Sequence, residues 1–247
     1  MHTYKTSEVA KIIGIHPNTV RLYERSELIP KAKRLPNGYR VFTDFHIAQC
    51  RLVRLAFRVE IVQNGLRRKI VKMIKASANK DFETAILLIN EYIEQIKQER
   101  TKAEEAIEIV NQLLSGCEQT GTRSLKRNEV SKELGISMDA LRNWEMNGLL
   151  QVKRKENGYR VYTDSDIRRL KIIRTLRSAN YSLESILRLL NQLSEDPDTD
   201  VRVTLNTPKQ SDDVISVCDR LIISLSEAEE NAYKIKTMLH DMKAKEI

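Results

Sequence analysis

Cysteine is scarce. Cys50, Cys117 and Cys218 are the only three in 247 residues, too few and too scattered for a disulfide framework or a repeated C-x-x-C metal site, so reduced thiols are expected. Proline and glycine number 5 and 8. That leaves little room for long flexible tracts in a chain that is 41% hydrophobic and long enough for two domains of ordinary size. No apolar run approaches the ~18 residues of a membrane span, and the opening MHTYKTSEVAK lacks the apolar core of a signal peptide. A cytoplasmic protein without membrane association is expected. Also missing are a glycine-rich phosphate loop, an H-E-x-x-H pair and a nucleophile with a base beside it. The chain is therefore not expected to be an enzyme, and no cofactor is expected.

What is present is positive charge in two places. The formal net charge is +8. Residues 1–80 hold 17 Lys and Arg against 5 Asp and Glu, residues 124–180 hold 13 against 7, and the remainder is left at −10. Two separated basic segments suit a protein that meets a polyanion twice, although solvated surface charge alone could produce the same totals.

The two segments are copies. NGYRVFTD at 37–44 returns as NGYRVYTD at 157–164, and SEVAKIIGIHPNTVRLYERSELI at 7–29 aligns with NEVSKELGISMDALRNWEMNGLL at 128–150 at a constant offset of 121. After one residue is lost in the next loop the offset becomes 120, and Tyr39, Arg40, Thr43, Asp44 and Ile47 meet Tyr159, Arg160, Thr163, Asp164 and Ile167. An internal duplication fixes the architecture.

Each copy spells helix, tight turn, helix. Ser7 is positioned to cap a first helix ending at Ile13, Gly14 supplies the turn, and His16-Pro17-Asn18 opens a second helix running to about Ser26. Ser137 takes the N-cap position in the second copy. The residues around Pro36-Asn37-Gly38 then read as a hairpin, which forms a wing beside the helix pair.

A recognition helix reads base edges in the major groove with its N-terminal residues. His16, Asn18 and Thr19 are the candidates in the first copy, and Ser137, Asp139 and Asn143 in the second. Arg21 and Arg142 suit phosphate oxygens, and Tyr23 and Trp144 offer an aromatic contact at the DNA backbone. At the wings, Tyr39, Arg40, Tyr159 and Arg160 extend the contact, with Lys33, Arg34, Arg154 and Lys155 adding to the electrostatic attraction. A purely structural alternative pairs Arg21 with Glu24 and Arg142 with Glu145 at i,i+3 and lets the tyrosines cover the hairpins.

The stretch TSEVAKIIGIHPNTVRLYERSELIPKAKRLPNGYRVFTD resembles the winged-helix DNA-binding domain of MerR-family transcription regulators. The family's pattern of T-x-R-x-Y-E, L-I-P and N-G-Y-R falls on Thr19, Arg21, Tyr23, Glu24, Leu28, Ile29, Pro30, Gly38, Tyr39 and Arg40. The second copy keeps Arg142, Glu145, Leu149, Gly158, Tyr159 and Arg160 but has Ala140, Trp144 and Gln151 at three pattern positions, which implies a different or looser DNA preference. The resemblance implies two further helices, then a long helix that dimerises as an antiparallel coiled coil. It also implies that bound DNA is bent and untwisted at a promoter with an overlong spacer.

Long amphipathic seams are present. Ile86, Ile89, Ile93, Ile96, Arg100, Ala103, Ile107, Val110 and Leu114 fall on alternating three- and four-residue steps, and a weaker series runs Val214, Val217, Leu221, Ser224, Ala228, Asn231, Ile235, Met238 and Met242. The expected fold is mainly α. Winged helix-turn-helix domains at 1–80 and 124–193 are each followed by a coiled-coil helix, at 81–114 and 214–247, with a linker at 115–123 and an acidic surface loop at 194–213 carrying a short strand at VRVTL.

The helices are expected to pair within one chain as an antiparallel coiled coil, giving a pseudo-dimer that reads an asymmetric, imperfect palindrome in double-stranded DNA. A linker too short to span would give a helix-swapped homodimer instead. RNA polymerase at a promoter is the further partner this reading allows. The rival reading is a DNA-architectural, chromosome-organising or excisionase-like protein that bridges or bends DNA. A metal or redox sensor built on Cys117 and Cys218 is a third.

Overall fold

The computed structural model describes residues 2–59, 63–116, 124–154, 158–208 and 220–245. The chain divides into two compact units, the first formed by Met1–Gln98 with Leu225–Ile247 and the second by Glu99–Ser224.

The first unit opens with β1 (Thr3–Tyr4), α1 (Thr6–Ile13) and α2 (Pro17–Arg25), followed by β2 (Lys33–Arg34), β3 (Arg40–Thr43), α3 (Asp44–Ala56) and α4 (Leu66–Ala78). The N-cap of α1 is Lys5 rather than Ser7, because the Glu8 carboxylate reaches back to accept the Lys5 N–H at 2.7 Å. Gly14 ends the helix at φ +71°, a left-handed conformation that a side chain would strain. In α2 the backbone N–H of Asn18 donates to Nδ1 of the capping His16 at 3.1 Å, and Pro17 occupies the first helical position, where its missing N–H costs nothing.

The strands form an antiparallel sheet in the order β1-β3-β2, with Tyr4 opposite Phe42 and Lys33 opposite Val41. Val9, Val20, Ile29, Phe42, Leu52 and Val53 make the core of this head. Within it the buried Gln49 donates from Nε2 to the carbonyls of Leu28 and Ile74, both at 3.0 Å, and accepts from Ser77 at 2.8 Å. Both amide donors and the amide oxygen are thereby engaged, which ties α4 to the Leu28 carbonyl beyond α2.

The long helix α5 (Phe82–Ser115) follows, and its residues through Gln98 belong to this unit. Its buried Ile89, Ile93 and Ile96 share the unit with Ala228, Ile235 and Met242 from the last helix, α11 (Leu221–Ala244). Here α5 and α11 run antiparallel: Glu83 near the start of α5 is bonded to Lys243 near the end of α11, and the Lys97 ammonium lies 5.9 Å from the Tyr233 ring centroid.

The second unit repeats the plan with β4 (Ser124–Leu125), α6 (Arg127–Leu134), α7 (Met138–Met146), β5 (Lys153–Arg154), β6 (Arg160–Thr163), α8 (Asp164–Ser178) and α9 (Leu183–Glu195). Its sheet order β4-β6-β5 is the same, Glu129 caps Lys126 as Glu8 caps Lys5, and Gly135 turns at φ +58°. The duplicated helix-turn-helix with a small winged sheet is thus present in both units. Arg168 on α8 closes the end of α5 by donating to the carbonyls of Leu113, Leu114 and Gly116 at 2.5 to 3.1 Å, where a cation also complements the helix dipole.

The segment read as a surface loop with a strand differs. Val201–Asn206 is a helix, α10, with Val201, Thr204, Leu205 and Asn206 buried. Asp200 caps it, Arg188 of α9 donates to the Thr204 carbonyl at 3.0 Å, and the Asn206 side chain accepts the Ile222 N–H at 3.1 Å. These tertiary bonds override the β propensity of the Val and Thr residues. Residues 209–219, with Val214, Val217 and Cys218, and residues 117–123, with Cys117, fall outside the described residues.

Candidate nucleic-acid interface

In the first unit α2 exposes His16, Asn18 and Arg21, while Thr19 and Tyr23 are partly covered. Asn18 is not idle, since its Oδ1 accepts from Arg21 Nη1 at 2.8 Å. Burial raises the hydroxyl pKa of Tyr23. His16, read as a base contact, has its Nδ1 committed to capping the helix, which leaves only the rest of its exposed ring for a ligand.

The wing is locked to this helix by one carboxylate. Glu24 accepts from Arg40 Nε at 2.6 Å and from the Ala32 backbone N–H at 3.0 Å, so both approaches to the hairpin converge on it. The i,i+3 pairing of Arg21 with Glu24 considered from sequence is not what forms. Arg40 therefore differs from the simple phosphate contact expected of it, because its Nε is spent inside the protein. Around the pair, Arg21, Arg25, Lys31 and Arg34 line a basin of about 440 Å³ with Glu24 and Glu27. Arg25 and Lys31 were not singled out in the sequence, although their places on the exposed face of α2 and before β2 would have located them. The turn of the hairpin is closed by Gly38 N–H to the Leu35 carbonyl at 2.8 Å, with Gly38 at φ +83°. It carries Tyr39, 69% exposed, beside Lys33 and Arg34.

The second unit builds the same frame from different parts. Ser137 accepts the Ala140 N–H at 3.0 Å as the expected N-cap of α7. Asp139, Arg142 and Asn143 are exposed, as are Arg154 and, at 70%, Tyr159. Arg160 Nε lies 2.7 Å from each oxygen of Glu145, a bond that holds the guanidinium pKa above its ordinary value. Trp144 corrects the sequence reading. It is 8% exposed and belongs to the core, where an indole in place of Tyr23 fills space beneath α7. Lys155 lies outside the described residues.

Arg127 was missed altogether. It stands where the first copy has Thr6 and donates from Nη2 to the Met138 carbonyl at the start of α7, while its Nε is buried and unpartnered among the described residues. The offset of 121 could have flagged this Thr-to-Arg exchange at the mouth of the recognition helix. Conversely, Met146, 76% exposed, stands where the first copy has Arg25. The two faces share a scaffold and differ in charge.

Cys50 is buried in α3 and burial pushes its thiol pKa up to about 12, which makes it an inert core residue. Among the described residues no group of three or more His, Cys, Asp or Glu could hold a metal ion, and no helix is long and apolar enough to cross a membrane.

Two comparisons agree with this geometry at the level of family. Residues 5–42 match the model of the MerR family regulatory protein, and residues 125–193 match that of the MerR HTH family regulatory protein. The chain is 41% identical over 64 residues to the HTH-type transcriptional regulator ZntR of Escherichia coli (strain K12), covering 26% of this chain and 45% of that protein. To AdhR of Bacillus subtilis (strain 168) it is 34% identical over 68 residues, 27% of this chain and 49% of that one. It thus spans about half the length of these relatives. With CueR of Yersinia pestis the match is 29% over 136 residues, 49% of this chain and 98% of the relative. No solved structure matches. With a family match on each copy of the repeat, the chain carries two MerR-type helix-turn-helix units.

Proposed function

We propose that the protein is a DNA-binding transcription regulator that uses two unlike heads within one chain to read a single asymmetric, imperfectly palindromic site at a promoter. The observation that carries this reading is the repeated tie between recognition helix and wing, Glu24 to Arg40 and Glu145 to Arg160. Each tie sets a hairpin bearing exposed cations and a tyrosine at a fixed attitude to an exposed helix face, as a rigid two-point grip on duplex DNA requires.

In this reading Arg21, Arg25, Lys31, Lys33 and Arg34 meet phosphates in the first head, and Arg127, Arg142 and Arg154 do so in the second. Asn18 and, in the other head, Asp139 and Asn143 face base edges; a carboxylate there would accept from the cytosine amino group. The antiparallel run of α5 and α11 within the first unit supports a single-chain counterpart of a dimer, because the pairing is made by one polypeptide. The relatives' names, all transcriptional regulators, support regulation as the outcome. Bending and untwisting of the bound promoter, and action on RNA polymerase, are part of the proposal.

Sedimentation equilibrium with and without a genomic fragment selected by the protein, read with the footprint on that fragment, tests it. The expected result is a free species at the chain mass of 28.6 kDa that covers one site with two unlike halves. Larger species coating repeated sites would replace this reading with that of a bridging or organising protein.

A further inference from the structure

The second unit contains a groove that no proposed DNA contact uses. It has a volume of about 640 Å³ and lies between α5, the end of α6 and α8. On α5 it touches Lys102, Ala106, Ile109 and Leu113, which recur at helical spacing along about 16 Å of one helix face. Leu134 closes one end from α6, and Ala179 lies at the end of α8.

Two features set this groove apart from ordinary surface. Ile109 is 46% exposed although it belongs to the long helix, so an apolar side chain stands uncovered in a concave site. Further, α8 contributes Lys171 and Arg174 with the hydroxyls of Thr175 and Ser178, and among the described residues neither cation makes an ion pair. By contrast Lys102, the other cation in the groove, is engaged by Glu99 at 3.0 Å. The carboxylates of the groove, Glu105 and Glu133, come from α5 and α6 and not from α8. The α8 wall therefore carries two cations without an ion pair among the described residues, while the Ser178 hydroxyl is spent on the Arg174 carbonyl at 2.9 Å, and the α5 wall sets Ala106, Ile109 and Leu113 beside Lys102 and Glu105.

We propose that this groove binds a small amphipathic organic anion, an apolar chain or ring bearing a carboxylate. The carboxylate takes the α8 wall, where Arg174 can receive it with two parallel hydrogen bonds and Lys171 adds a second charge. The apolar body lies along α5 over Ile109 and Leu113. The volume falls within the ~300–1,000 Å³ typical of small-molecule sites, too little for a folded partner to enter. The Arg174 guanidinium also lies 4.0 Å from where a side chain at Gly135 would begin, so the bound headgroup would sit near the turn of the second helix-turn-helix. The proposal concerns ligand chemistry and stands apart from DNA binding.

The test is a titration of the full chain, 13C-labelled at isoleucine δ1 methyls, with decanoate and separately with decyltrimethylammonium. Decanoate is expected to shift the Ile109 methyl to saturation, and the double variant Lys171→Glu, Arg174→Glu to weaken that binding about tenfold or more. The other isoleucine methyls should keep their positions, which verifies the fold of the variant; if they move, Arg174→Gln alone replaces it. An unmoved Ile109 methyl at millimolar decanoate overturns the proposal. So does equal binding of the cationic probe, or decanoate binding that ignores the charge reversal. DNA affinity is measured separately on the same samples, so failure of one reading is not mistaken for failure of the other.

Discussion

The Nε of Arg160 lies 2.7 Å from both carboxylate oxygens of Glu145, and in the other head Arg40 Nε lies 2.6 Å from Glu24. These pairs bridge recognition helix and wing, and their glutamates are largely covered, with side chains 19% and 11% exposed. A hydrogen bond to a charged group is worth about 1.5–3 kcal/mol, enough to set the attitude of a two-stranded hairpin.

Replacing Glu24 with Gln separates two accounts of this pair. By charge alone, removing an anion from a DNA-facing surface should tighten binding and steepen its salt dependence. If the carboxylate instead holds the wing in place, affinity should fall despite the more positive surface, by about tenfold or more, because Gln cannot serve Arg40 and the Ala32 N–H equally well. Binding isotherms across a salt series, on any duplex the protein selects, distinguish the outcomes. Tighter binding by the Gln variant would end the buttress account.

The two arginines one turn into the recognition helices should not be equivalent. Arg21 stands in a basin with Arg25, Lys31 and Arg34, whereas Arg142 shares α7 with Asp139 and an exposed Met146. Arg21→Ala is expected to cost more affinity than Arg142→Ala, while each lowers the salt slope by about one. In the second head Arg127→Ala is expected to cost as much as Arg142→Ala, because it both frees the start of α7 and removes a cation. Equal losses for Arg21 and Arg142 would remove the ranking of the heads.

The frame of this protein was legible because it is repeated. A shared offset exposed both helix-turn-helix units, and Gly14, Pro17, Ser137 and Gly38 marked turns and caps through local chemistry alone. What the sequence could not supply was the partner of each charge. Glu24 could have taken Arg21 at i,i+3, and only the return of β3 brings Arg40 to it across 16 residues. Trp144 read as surface because Tyr23 did, yet the same position is packed differently in each head. The α10 helix escaped notice since VRVTL has β propensity and its helix depends on bonds from Arg188 and Asp200. Strands β1 and β4 escaped for the same reason, each being two residues long and defined only by the strand it pairs with.

His46 gives the first head a pH dependence of its stability. Its Nδ1 accepts the Thr43 N–H at 3.1 Å at the start of α3, a place taken in α8 by Asp166 bonding Thr163 at 2.8 Å. Burial lowers the His46 pKa; Glu24 and the Pro30 carbonyl pull it upward, and Lys80 pushes it down. Because the folded pKa is depressed, the unfolded chain binds the proton more readily. The stabilisation is therefore complete above the unfolded value of about 6.5 and is lost as pH falls through the lower folded value. Denaturant midpoints should fall with acidification more steeply for the native chain than for His46→Gln, which keeps an uncharged acceptor at this capping position. Parallel pH profiles would dismiss His46 as the cause.

Cys50 should be chemically silent while the protein is folded. It is buried in α3, and its thiol pKa is pushed to about 12, so at about pH 8 almost none of it is the thiolate that attacks disulfide reagents. In a chain with Cys117→Ser and Cys218→Ser, Ellman's reagent is expected to give no fast colour, then one equivalent of thiol when denaturant unfolds the first unit. The rate should track unfolding rather than reagent concentration, since access requires opening of the core formed by α3 and its neighbours. Rapid labelling under native conditions would mean that the core around α3 opens freely. The packing assigned to Leu52, Val53 and Gln49 would then have to be revised with it.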